Sequence, residues 1–94
     1  NQSLMKSVTV KFLRELEDML EPRNMVIEYD QEVVDWLTNR GFTPSMGARP
    51  MARLINEKIK KPLSKQILFG DDVDLIKLSI ANDTINIRTD KIQT

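Results

Sequence analysis

Arg49 and Arg53 are the residues whose type and spacing could do chemistry. They stand four apart within Met46-Gly47-Ala48-Arg49-Pro50-Met51-Ala52-Arg53-Leu54-Ile55. If that run is helical, both guanidinium groups share one face. Pro50 is tolerated only in a first turn, so the helix should begin near Gly47 or Ala48. Arg49 then sits where a helix dipole already favours an anion, and a cation there opposes the dipole by about 0.3–1 kcal/mol. Such a placement makes sense if a phosphate or carboxylate accepts a charge-assisted fork from Arg49. The competing reading is an arginine turned to solvent or to an acid of the same chain.

The chemistry that is excluded is equally informative. The 94 residues include no Cys and no His. Disulfides, thiolate nucleophiles, imidazole bases and almost every zinc or copper site are therefore ruled out. A Ser-His-Asp triad cannot be built. Carboxylates, Lys, Tyr and hydroxyls remain for any catalysis, and the acids here read as caps and solvated faces. The lack of Cys fits a reducing, cytoplasmic setting. No apolar stretch approaches the ~20 residues of a membrane span.

Fourteen basic residues balance fourteen acidic ones, yet the charges are segregated. Arg40, Arg49, Arg53, Lys58, Lys60, Lys61 and Lys65 face only Glu57 in the same stretch. Glu15, Glu17, Asp18, Glu21, Glu28, Asp30, Glu32 and Asp35 face only Arg23 in another. Two solvated faces that partly pair with each other would account for most of this, since exposed pairs contribute only ~0–1 kcal/mol. A nucleic-acid module is a weaker reading: the net charge is zero and five aromatic residues offer little stacking surface. A general protein-interaction module also suits the pattern.

The elements that must position Arg49 follow from periodicity. Met5, Val8, Phe12, Leu16 and Met19 recur at helical spacing, with Leu13 and Leu20 on an adjoining stripe, so Ser3 to Leu20 is an amphipathic helix stopped by Pro22. Met25, Ile27 and Tyr29 alternate as a short strand. Asp30 is a good N-cap for a helix from Gln31 to about Arg40, with Val33, Val34 and Leu37 inward, Trp36 on the flank and Gly41 as the C-terminal glycine. Met51, Leu54, Ile55, Ile59, Leu63 and Ile67 continue a helical pattern, but Pro62 predicts a kink or break near Lys58–Lys61, then a second helix ending at Gly70. Ile76, Leu78 and Ile80 alternate, Asn82-Asp83 can turn, and Ile85 and Ile87 return as a hairpin, with a polar tail after Thr89. The expectation is an α+β domain spanning 1–94, with three or four helices on a roughly three-stranded sheet. A start at Asn1-Gln2-Ser3 reads as a piece excised from a longer protein.

The Gly47-Ala48-Arg49-Pro50 box, followed by Lys60-Lys61-Pro62-Leu63, Leu68-Phe69-Gly70 and a closing hairpin, resembles the C-terminal small domain of Clp-type AAA+ unfoldases. The likeness runs from about Val8 to Ile87. Met51 and Lys61-Pro62 point within that family to its ClpA branch, because ClpB- and ClpC-like members usually carry Leu at the first position and an acid or Asn before the proline. The resemblance implies a lid over an ATP site. Arg49 would be the sensor-2 arginine that reaches the terminal phosphates, Gly47 and Ala48 would border the nucleotide pocket, and Arg53 is a further candidate. It implies ATP or ADP with Mg2+ in the parent protein. It also implies a large P-loop domain from the same chain and from the neighbouring subunit, in a hexamer that serves a ClpP-type peptidase. No G-x-x-x-x-G-K-[ST] occurs in these residues, so the phosphate cradle and magnesium ligands would lie elsewhere. On this reading the 94 residues alone are a monomer without bound nucleotide and without catalytic residues.

Overall fold

The computed structural model describes residues 1–69 and 73–91. The elements run α1 (Gln2–Leu20), β1 (Val26–Glu28), α2 (Gln31–Gly41), α3 (Arg49–Ile55), α4 (Lys61–Phe69), β2 (Leu75–Ala81) and β3 (Thr84–Asp90). A 3-10 turn, Glu21–Arg23, follows α1, and a π-helical turn, Asn56–Lys60, joins α3 to α4. The sheet order is β1-β2-β3; β1 pairs parallel to β2, and β2 antiparallel to β3. A parallel pair needs a long crossover, and α2 through α4 provide it. The expected α+β layout of helices on a three-stranded sheet is therefore what the chain adopts.

The first helix starts where the Asn1 side chain accepts from the Leu4 N–H at 3.0 Å. Its buried stripe is Thr9, Leu13, Leu16 and Leu20, which is rotated from the expected Met5-Val8-Phe12-Leu16-Met19 face. Met19 is 57% exposed. The rotation has a polar cause: the Thr9 and Thr38 hydroxyls lie 2.7 Å apart in the α1–α2 seam, and Thr38 also donates to the Val34 carbonyl at 2.7 Å. Both hydroxyls thus have hydrogen-bond partners, which is the condition for burying a threonine. Pro22 sits inside the 3-10 turn rather than ending the helix by itself. Closure comes from left-handed Asn24 (φ 59°), with Met25 N–H donating to Leu20 O and Asn24 N–H to Glu21 O, the paired bonds of a Schellman stop.

Asp30 caps α2 as expected, accepting from Val33 N–H at 3.2 Å. Gly41 is not a left-handed cap. It is the last helical residue, and the chain leaves through extended Phe42. Its lack of a side chain serves packing instead: a Cβ there would stand 2.4 Å from Met51 Cε and 3.2 Å from Met51 Cα. Trp36, expected on the flank, is 7% exposed and part of the core.

Pro62 opens the second helix as expected, in the first turn of α4, but the interruption before it is a π turn rather than a break in the chain. The turn before it widens, with Lys61 N–H bonding Asn56 O five residues back. The buried residues Met51, Ile55, Ile59 and Leu63 recur strictly every four. At about 100° per residue, a spacing of four over-rotates an α-helix by about 40° each step. The wide turn winds back part of that drift and keeps the stripe on the core, while the proline's missing N–H falls in the first turn of α4. Gly70, the expected end of this helix, lies outside the described residues. The hairpin forms as expected on Asn82 (φ 53°) and Asp83 (φ 59°), a two-residue turn of the primed type, with Ala81 opposite Thr84. β3 continues to Asp90, one residue beyond the expected start of the tail.

Gly41→Ala should cost about 1–3 kcal/mol by overpacking against Met51. Urea unfolding of Gly41→Ala in the parent background and in a Met51→Ala background should show a smaller penalty in the second.

Candidate functional site

Residues 42–48 deliver Arg49 to the head of α3. Thr43 and Gly47 exchange backbone hydrogen bonds at 3.1 and 2.8 Å, and Met46 N–H donates to the Thr43 hydroxyl at 3.0 Å. Gly47 takes φ +61°, with no atom within 4 Å of where a Cβ would stand. Glycine is needed there for conformation, not for room. Ala48 is the N-cap and contributes no side-chain hydrogen bond.

Arg49 is exposed, and its guanidinium makes no hydrogen bond or ion pair with the described residues. No acid lies in the first turn of α3 to answer it. The backbone is less open than the sequence suggests. Arg49 N–H donates to Met46 O at 3.2 Å, Met51 N–H to Ala48 O at 3.0 Å, and Pro50 has none. This helix head therefore offers an anion the Arg49 side chain rather than a nest of spare amides. Met46 beside it is 49% exposed.

The other arginines of the basic stretch are engaged. Arg53 Nε lies 3.2 Å from Glu57 one turn along, with its side chain 82% exposed. Arg40 Nη2 bonds both Asp83 oxygens at 2.7 and 2.8 Å, and its guanidinium stacks on Trp36 at 4.3 Å. Trp36 Nε1–H also donates to the Asp83 carbonyl at 3.2 Å. This clamp ties the hairpin turn to α2, a role that position in a basic run does not reveal. In α1 and α2, the Gln31 amide and the Lys6 ammonium hold the Asp35 carboxyl below its ordinary range. None of these ion pairs joins the acidic half to the α3–α4 rod. The structure therefore brings Gly47, Ala48 and Arg49 together at one exposed corner and leaves Arg53 one turn away, tied to Glu57. Among the described residues no cluster of three or more carboxylates is placed to hold a metal ion.

Comparison with known proteins gives this corner a context. Residues 1–80 match the family described as the C-terminal, D2-small domain of ClpB protein. A ClpA homolog protein of Fuscovulum blasticum is 37% identical over 94 residues, covering 98% of this chain and 12% of that protein. The chaperone protein ClpB of Brucella suis biovar 1 (strain 1330) is 33% identical over 78 residues, covering 81% of this chain and 9% of its own length. A cryo-EM reconstruction of closed-state Hsp104 with ATPγS and casein superposes with a TM-score of 0.81 over 95% of this chain and 16% of that one. At 24% identity that likeness establishes the fold. The chain spans about a tenth of the length of the curated relatives it matches.

Gly47→Ala should lower stability by about 1–2 kcal/mol, the cost of left-handed backbone with a Cβ. Gly47→Asn should lose less, because asparagine tolerates that conformation. Thermal unfolding of the two variants checks the order.

Proposed function

The chain belongs to the family of C-terminal, D2-small domains of ClpB-type AAA+ chaperones, and from that premise we propose that it is the nucleotide-sensing lid of an ATP-driven protein unfoldase. One observation carries the reading: Arg49 is a cation held at the head of a helical rod whose inner stripe is buried, with its fork uncommitted among the described residues. An uncommitted planar fork suits phosphate oxygens, and Gly47 and Ala48 border the same corner. Arg49 would meet the terminal phosphates of ATP bound by a large P-loop domain of the parent chain. Mg2+ would be held with the nucleotide outside these residues. Arg49 would lose its partner when the terminal phosphate leaves, and the rod from Arg49 to Phe69 would carry that change into the orientation of the whole lid. In the assembled hexamer the lid would pass this rotation to the neighbouring subunit.

Two branches of the family fit. The ClpA homolog supports a lid whose parent feeds substrates to a ClpP-type peptidase in the cytoplasm. The match to the ClpB family supports the lid of a ClpB- or ClpC-type disaggregase or chaperone. Degradation of an unfolded reporter by parent plus peptidase, against refolding by parent alone, separates them.

Arg49→Ala in the parent protein should cut ATP hydrolysis and unfolding on the order of 100- to 1,000-fold, the scale of losing one charge-stabilising donor. The same change should leave the melting temperature of the 94-residue chain almost unmoved, since the side chain is exposed. Unchanged ATPase in the variant parent, or sustained Mg2+-dependent hydrolysis by the 94 residues alone, overturns the lid assignment.

A further inference from the structure

On a face formed by other elements, α1 and α4 enclose a groove of about 300 Å³. Its floor is apolar: Leu16, Leu20 and Leu63 are core residues, and Ile67 lines the wall. Met19 and Leu68 also line it, 57% and 75% exposed, so the apolar surface of the groove continues to its rim. Arg23 and Lys60 line it as well, and neither makes a hydrogen bond or ion pair with the other described residues. No carboxylate lines it among those residues. The combination is a greasy slot with two cations and no counter-charge of its own.

We propose that this groove docks an acidic amphipathic segment of a partner protein, an apolar side chain entering between α1 and α4 while flanking carboxylates meet Arg23 and Lys60. Charge complementarity selects the occupant. A purely apolar segment would leave both cations desolvated and unpaired, and a basic one would be repelled. The slot is concave, set between two helices, and holds one or two side chains at a time, which suits a helix-in-groove contact better than the plane of a bilayer. The inference does not depend on the role of Arg49, which is on α3 and does not line the groove.

The test uses the 94-residue chain, labelled at its methyl groups, and an end-capped synthetic peptide, AEELLDELFSEA. Binding is followed by NMR beside the charge-reversed peptide AKKLLKKLFSKA. The acidic peptide should shift the Leu20, Leu63 and Ile67 methyls, and the reversed one should bind at least about tenfold more weakly. Lys60→Glu and Leu68→Asp should each weaken the acidic peptide by about tenfold, with Met19→Asp as a second edge variant should either misfold. Equal binding of both peptides, no binding, or shifts confined to other surfaces overturns the proposal. So does concentration-dependent self-association that Leu68→Asp abolishes, which would assign the groove to a second copy. Sedimentation with phosphatidylglycerol vesicles, lost in Lys60→Glu and without peptide binding, would overturn it in favour of a lipid surface.

Discussion

The close approach of Gly41 to Met51 is the contact from which the geometry of the site descends. It sets the end of α2 against the backbone of α3, 3.2 Å from a would-be Cβ to Met51 Cα. With that crossing fixed, seven residues must turn the chain from one helix to the next, and the Thr43–Gly47 bridge is how they do it. Arg49 lies two residues before Met51, so its position follows from that packing contact together with its backbone N–H bond to Met46 O, and its side chain adds no hydrogen bond among the described residues. A side chain that makes no tie to the described residues is thereby presented from a packed backbone, which suits the sensing role proposed for it.

The rod behind Arg49 solves a periodicity problem. A stripe repeating every four residues drifts off the face of an α-helix, and Met51, Ile55, Ile59 and Leu63 would spiral away from the core. One π turn winds back part of that drift. Pro62 is placed where its missing N–H costs least, so the irregularity and the proline are two parts of one arrangement. The result is an uninterrupted helical run from Arg49 to Phe69, with no loop between α3 and α4.

Charge segregation along the chain translates into division of labour among cations. Arg40 is spent on holding the hairpin turn through Trp36 and Asp83, and Arg53 pairs along its own helix with Glu57. Arg49, Arg23 and Lys60 have no such partners among the described residues, and they are separated between the lid corner and the α1–α4 groove. A basic run in one dimension is thus divided between paired and unpartnered cations in three.

Local chemistry was legible in the residues alone. The Asp30 cap, the Asn82-Asp83 turn, Pro50 in a first turn and the α+β order each follow from short-range rules that tertiary contacts did not override. The arginine box could be read as a candidate anion site, but its backbone amides are consumed by Met46 and Ala48, a detail of loop closure that no spacing announces. Tertiary packing decided the rest. Thr9 faces inward because Thr38 waits on another helix, Gly41 is glycine because Met51 crosses it, and the π turn exists because a fixed core must be met by a stripe of the wrong period. Each of these depends on a neighbour far along the chain, and a local pattern carries no information about which distant residue will arrive.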